Sequence, residues 1–317
     1  MSTPNGALNS SNNDCCDSRS SDKPAIDLLN SEKVAILSCS AQHSPKLIDR
    51  NVRELEVETQ ILPLNTLVKE LLKEQYKAII IAGGPGSVFA EDALPYDKDI
   101  FTTGIPVLGI GYGFQMINNH FGGLVGECKE EHKDSAQLTI IVDSQNLLFS
   151  NLDSQQKVLQ ATGVSVSKVA DGFEVVGKSE NVIFAIANVE KKLYGVQFYP
   201  ENDLSTNGKD MLKNFLFYVA SLSGNFTQKF RVDKSIDRIQ KLVGSSKVLV
   251  LVNGGVNSVV SATFLVKALK ADQVIALYID SGFMRKNEGV QVEKALKSVG
   301  LDMKTIKAWL QFSNATT

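Results

Sequence analysis

One stretch of nineteen residues, IPVLGIGYGFQMINNHFGG (105–123), restricts this chain more than any other. Val107 to Ile110 is an apolar run short enough for a buried strand. Gly-Tyr-Gly follows it, and Phe114, Met116, Ile117 and Phe121 then recur at helical spacing. A strand that turns sharply into a helix is the backbone of a nucleophile elbow. The apex residue of such an elbow presents its side chain at the top of a sheet, with backbone N–H groups nearby for a developing oxyanion. The apex here is Gly111, which has no side chain to attack with.

Strands and helices alternate on either side of that stretch. VAILSCS (34–40) reads as a strand, 47–55 as a helix, 59–62 as a strand, 67–75 as a helix, and AIIIAGG (78–84) as a buried strand ended by glycines. This alternation predicts an α/β fold, a parallel sheet with helices on both faces. After Gly126 the pattern changes to LTIIVD, KVLQATG, FEVVGKS, VIFAIANV and KLYGVQF. Short runs broken by Gly, Asn and Asp predict mostly antiparallel strands that extend or cover the sheet. An amphipathic helix over 208–221, with Leu212, Phe215, Leu216 and Val219 on one face, closes a first domain expected over 32–222. A linker is expected over 223–230 and a second domain over 231–317. There, helices at 232–244, 259–270 and 288–300 alternate with strands at 247–252, 273–280 and 303–309, predicting a parallel βαβαβ unit. Its last strand is expected to leave an open edge, which parallel sheets rarely tolerate.

Composition adds exclusions. The 317 residues suffice for two domains, and 43% hydrophobic content with a formal net charge of −2 describes an ordinary globular chain with no nucleic-acid footprint. No apolar run approaches the ~20 residues of a membrane span, and the N-terminus has no apolar signal region, so cytoplasmic or nuclear residence is expected. Residues 1–31 are rich in Ser, Asn and Asp and are expected to form a disordered tail. Cys15, Cys16, Cys39 and Cys128 form no CxxC pair and have no ligand-like spacing to His43, His120 or His132, which predicts neither a metal site nor a disulfide framework. His120, late on a helix, reads as structural. His132, within KEEHKD (129–134), reads as part of a solvated loop.

Four stretches carry a family resemblance. GIGYG (109–113), LIDRNVREL (47–55), IIIAGGPGSVFAEDA (79–93) and KLYGVQFYPE (192–201) together resemble the class I glutamine amidotransferase domain of the GMP synthetase family. That family's elbow reads Gly-Ile-Cys-Tyr-Gly and its later segment Gln-Phe-His-Pro-Glu. The resemblance implies a mixed sheet with flanking helices, and a Cys-His-Glu triad at the positions held here by Gly111, Tyr199 and Glu201. Two of the three are exchanged. Covalent glutamine hydrolysis needs a nucleophile and a base to activate it. Losing a nucleophile alone costs on the order of 10⁶ in turnover, and tyrosine, with an unperturbed pKa of about 10, is a poor base near neutral pH. Glycine does suit a strained elbow backbone. With no imidazole to orient, Glu201 is expected to be a solvated carboxylate. Gly84 and Gln115 match positions that cradle glutamine in the family, whereas Thr162 and Val164 stand where the family has His and Asp.

Residues 247–270 resemble the ATP-pyrophosphatase (PP-loop) domain of the same family, whose phosphate loop reads Ser-Gly-Gly-Val-Asp-Ser. A glycine loop between a strand and a helix N-terminus offers backbone N–H groups to phosphate. Here the loop is Asn253, Gly254, Gly255, Val256, Asn257 and Ser258. Its backbone donors survive, which leaves weak ATP binding as an expectation. Asn257 lacks the carboxylate charge that would favour Mg²⁺. YIDSGFMRK (278–286) offers Arg285 and Lys286 as anion contacts. The family continues well past position 317, so the resemblance implies a truncated, catalytically silent relative with a binding or regulatory role. Its implied partners are an intact GMP synthetase or a ubiquitin-specific protease complex. The alternative is a GMP synthetase isoform or subunit of purine biosynthesis that retains ATP binding.

Overall fold

The computed structural model describes residues 31–39, 44–84, 94–127, 137–160, 164–180 and 182–315. The elements run β1 (Lys33–Ser38), α1 (Ser44–Glu54), β2 (Glu58–Pro63), α2 (Val68–Lys73), β3 (Ala78–Ile81), β4 (Val107–Ile110), α3 (Tyr112–His120), β5 (Leu124–Glu127), β6 (Gln137–Val142), β7 (Gln155–Leu159), β8 (Val164–Lys168), β9 (Glu174–Ser179), β10 (Val182–Asn188), β11 (Leu193–Val196) and α4 (Gly208–Asn214). They continue through α5 (Gln228–Val243), β12 (Val248–Leu251), α6 (Val256–Ala268), β13 (Val274–Asp280), α7 (Glu288–Ser298), β14 (Met303–Lys307) and α8 (Trp309–Ala315).

The large sheet is mixed, in the order β2-β1-β3-β4-β11-β10-β9-β6-β7, with β8 joining β10 and β5 beside that path. The five strands from β2 to β11 are parallel. From β10 onward the pairing is antiparallel. The change of direction falls at β11, which lies parallel to β4 on one side and antiparallel to β10 on the other. This is an α/β fold whose parallel half holds the elbow.

Period-two alternation sends successive strand residues to opposite faces. Ile36, Ile80, Leu108 and Ile110 join Ile48 and Val52 of α1, Leu212 of α4, and Phe215 and Leu216 just after it in one core. Ala35, Leu37, Ile79, Ile81 and Val107 join Leu71 of α2 and Met116 and Ile117 of α3 in the other. Both faces of β1, β3 and β4 are therefore apolar, which is why these strands read as continuous hydrophobic runs.

Close approach at the elbow depends on two glycines. A Cβ on Gly109 would lie 2.4 Å from the Gly113 carbonyl carbon, and one on Gly113 would lie 2.8 Å from Ile81 O. Neither contact can be relieved by rotating a side chain. Gly109→Ala is expected to lower unfolding free energy by about 3 kcal/mol, the upper part of the range for overpacking, as measured by urea denaturation.

The second sheet, β12-β13-β14, is parallel. Val274, Ala276 and Tyr278 of β13 pack with Ala262 of α6 and Val292 and Leu296 of α7. Leu249, Leu251 and Ile306 stay exposed among the described residues. Boundaries differ from the sequence reading at several places. Helix α5 begins at Gln228, inside the stretch read as a linker, because Thr227 caps it by accepting from Phe230 N–H. That stretch is also tied down, since Phe226 N–H donates to Glu56 O at 2.8 Å and Lys234 pairs with Glu58 at 2.6 Å. Helix α6 starts three residues early, once Gly254 has turned the chain at φ +79. Trp309 opens a helix instead of ending a strand. Ser31, read as the end of the tail, is buried and hydrogen-bonds to Glu58. Residues 1–30, with Cys15 and Cys16, lie outside the described residues, as do His43, Cys128, His132 and Thr162. No helix among the described residues is long and apolar enough to cross a membrane.

Candidate functional site

The apex Gly111 sits at φ 56, ψ −104. Side chains other than hydrogen are strained at positive φ, so the elbow backbone is kept with the one residue that adopts it freely. Gly111 N–H donates to Val196 O at 2.8 Å, and Gln115 N–H donates to Gly111 O at 3.2 Å as α3 begins. The apex is thereby fixed to β11, whose chain runs on directly to Tyr199 and Glu201.

Tyr199 stands beside the elbow. A Cβ built on Gly83 would lie 2.8 Å from Tyr199 Cε1 and 3.5 Å from Ile110 O, so both crowd one glycine. Burial, with the Glu201 charge adding to it, pushes the Tyr199 hydroxyl above its ordinary value of 10. At neutral pH it holds its proton and cannot serve as a base. Gly84 abuts Cys39, whose Cβ would lie 2.9 Å from a Cβ there. Cys39 offers no nucleophile: it is buried, its thiol donates to Ala82 O at 3.1 Å, and burial pushes its pKa up to about 12. A thiol so protonated is inert.

Glu201 corrects the sequence reading. Its side chain is expected in solvent, yet it is only 4% exposed. Oε1 accepts from Ser44 Oγ at 2.5 Å, while the buried Oε2 has no partner. Asn51 Nδ2 holds the Glu201 carbonyl at 3.1 Å. Desolvation raises the Glu201 pKa to about 7, against the lowering effects of the Ser44 hydroxyl and of the residue's own backbone N–H. The physical reason is packing: Ser44 and Asn51 of α1 reach Glu201 within a segment, YPEND, that looks polar in isolation. Ser44 escaped the sequence reading because Ser-Pro before an amphipathic run signals a helix start, with nothing to mark a contact to a residue 157 positions away.

Gln115 is 3% exposed and its Oε1 has no partner, and both side-chain polar atoms of Gln197, which precedes Phe198, are also buried and unpaired. Of Val164 only the backbone, in β8, is described. His120 packs tilted against Phe101 and edge-on against Phe121, with ring centroids 4.9 and 4.8 Å away. Burial, then Lys98 and Lys191, lowers its pKa.

The 253–258 loop lies between β12 and α6, away from the elbow in the chain and in a separate sheet. Asn253 Oδ1 accepts from Gly255 N–H at 3.1 Å, and the Ser258 hydroxyl lies 2.9 Å from both Asn253 Oδ1 and Gly255 O. Glu288 adds a carboxylate beside the turn, its Oε1 3.3 Å from where a Gly254 Cβ would stand. Gly255 N–H and the Ser258 hydroxyl are thus engaged within the loop, and a negative charge adjoins it. Arg285 N–H donates to Glu288 Oε2 at 3.0 Å. Among the described residues no three His, Cys, Asp or Glu side chains converge to hold a metal ion.

A parallel-to-antiparallel mixed sheet with a glycine-apex elbow and a buried carboxylate after β11 defines an amidotransferase framework. The Glutamine amidotransferase class-I family model matches residues 41–219, and the chain belongs to that family. Within it the chain is similar to GMP synthases. It is 44% identical over 306 residues to "GMP synthase [glutamine-hydrolyzing]" of Dictyostelium discoideum, covering 92% of this chain and 42% of that protein. It is 44% identical over 296 residues to "Probable GMP synthase [glutamine-hydrolyzing]" of Caenorhabditis elegans, covering 92% and 39%. The chain thus spans less than half the length of these two relatives. A solved chain from Thermoplasma acidophilum, provisionally assigned as one subunit of a GMP synthase, superimposes with a TM-score of 0.55 at 26% identity, covering 61% of this chain and 96% of that one.

Proposed function

We propose that this chain is a GMP synthase-like amidotransferase that does not hydrolyse glutamine and acts by binding. The observation that carries this reading is the glycine at the elbow apex, at φ 56, ψ −104, with no side chain to act as a nucleophile. Tyr199 in place of an imidazole, held protonated by burial, supports it. A regulatory role toward an intact GMP synthase fits a chain that keeps the family's framework without its chemistry. Mixing the chain with a purified GMP synthase tests that role by sedimentation and by synthase rate. Co-sedimentation with a changed rate is expected, and independent sedimentation with an unchanged rate counts against it.

The alternative, a GMP synthase isoform or subunit that still uses ATP, draws support from the similarity to GMP synthases and from the glycine turn at 253–258. The internal hydrogen bonds of Asn253 argue against it. Calorimetric titration with Mg·ATP is expected to give no binding heat at millimolar nucleotide. Saturable heat that disappears in Gly255→Asp would restore the alternative.

A further inference from the structure

The strands at sheet edges among the described residues are β2, β5, β7, β12 and β14. An edge strand presents unpaired N–H and C=O groups to any strand that arrives, and folded chains guard such edges with charge or proline. β2 carries Glu58 and Pro63, β5 Glu127, β7 Lys157, and β14 Lys304 and Lys307. β12 reads Val-Leu-Val-Leu and has neither guard. Among the described residues β12 pairs with β13 alone, so its outer edge is open. Val252 N–H turns inward, donating to Leu277 O at 2.9 Å. Backbone groups alternate in direction along a strand, so those of Leu249 and Leu251 point out of the edge. Both leucine side chains are 58% exposed.

The strand's own pattern selects what fits there. A two-fold axis through Val250, perpendicular to the sheet, lays a second copy of β12 antiparallel to the first. Leu249 then stands opposite Leu251 of the second copy, an outward-pointing pair able to exchange both backbone hydrogen bonds. The operation keeps each side chain on its own face of the sheet, so leucine meets leucine on one face and valine meets valine on the other. Lys247 falls opposite Asn253 of the second copy, so no like charges meet along the strand.

We propose that β12 is a self-association edge, through which two copies of this chain join their three-stranded sheets into one. This rests neither on the loss of glutamine hydrolysis nor on a role toward a GMP synthase, and either reading can fail alone. A strand of four residues is about 13 Å long and makes an interface well under the roughly 800 Å² per partner of a stable complex. The dimer is therefore weak, with a dissociation constant on the order of 10 to 100 μM.

Sedimentation equilibrium of the full chain, at concentrations below and above that range, tests it. The native chain is expected to pass from monomer to dimer and stop there, because a two-fold pairing closes on itself. Leu249→Lys combined with Leu251→Lys sets lysine opposite lysine and should weaken association about tenfold or more. Leu249→Glu combined with Leu251→Glu should do the same. An equimolar mixture of the two variants sets glutamate opposite lysine and should dimerise again, which also shows that both variants are folded. A native chain that stays monomeric, as it would if β12 took a strand from a different protein, overturns the proposal. So does mass that rises past the dimer, a lysine variant as dimeric as the native chain, or a mixture that does not associate.

Discussion

Gly111→Cys combined with Tyr199→His is expected to turn on glutamine hydrolysis, with Gly111→Cys alone giving little. The elbow backbone that presents a nucleophile is already built, at φ 56, ψ −104, and position 199 already stands beside it through Gly83. The single variant supplies a thiol without a base, and its neighbour Tyr199 keeps its proton at neutral pH. Adding the imidazole should raise turnover by a further 10²- to 10⁴-fold, roughly the contribution of a positioned general base. Glu201 is in place to receive the imidazole N–H, with an oxygen that nothing else engages. A cysteine at positive φ is also expected to lower stability by about 1 to 3 kcal/mol, so both variants should be assayed well below their melting temperatures. Ammonia release at saturating glutamine, with alkylation of Cys at 111 as an independent readout, checks the result. Equal rates for the single and double variants would show that position 199 does not reach the apex.

The second large effect concerns Glu201 and pH. Its pKa stands at about 7 in the folded chain, against an ordinary value of 4.5, because burial penalises the charged form. The folded state thus favours the proton. The stability this provides is full below pH 4.5 and is lost as pH rises through about 7. The span corresponds to on the order of 3 kcal/mol. Glu201→Gln cannot ionise and should not follow that decline. Relative to the native chain, the variant is expected to gain about 2 to 3 kcal/mol between pH 5 and pH 8, read from urea denaturation at both values. Subtracting the native curve from the variant's removes the other titrating groups, which the two chains share. A difference independent of pH would mean that Glu201 is solvated after all.

The parallel half of the fold was legible because its strands are buried on both faces and read as unbroken apolar runs, VAIL, AIII and VLGI, each closed by a turn signal. The elbow was legible for the same reason, and Gly109 and Gly113 mark the close approach of strand and helix. The state of Glu201 was not. Local pattern reports which face of an element is apolar, but burial of a loop carboxylate is decided by what another segment lays over it. Here that segment is α1, whose Ser44 and Asn51 reach the YPEND loop from far away in the chain. The engagement of the 253–258 loop by its own Asn253 was hidden for a related reason. The exchange is visible in sequence, but which donors its amide oxygen takes depends on the folded turn.

Glutamine hydrolysis by the native chain is the most direct measurement, followed as ammonia release over hours at high enzyme concentration. A glycine apex with a protonated tyrosine beside it predicts release indistinguishable from a no-protein control. Saturable turnover that co-purifies with the chain and vanishes in Glu201→Gln would contradict a silent elbow.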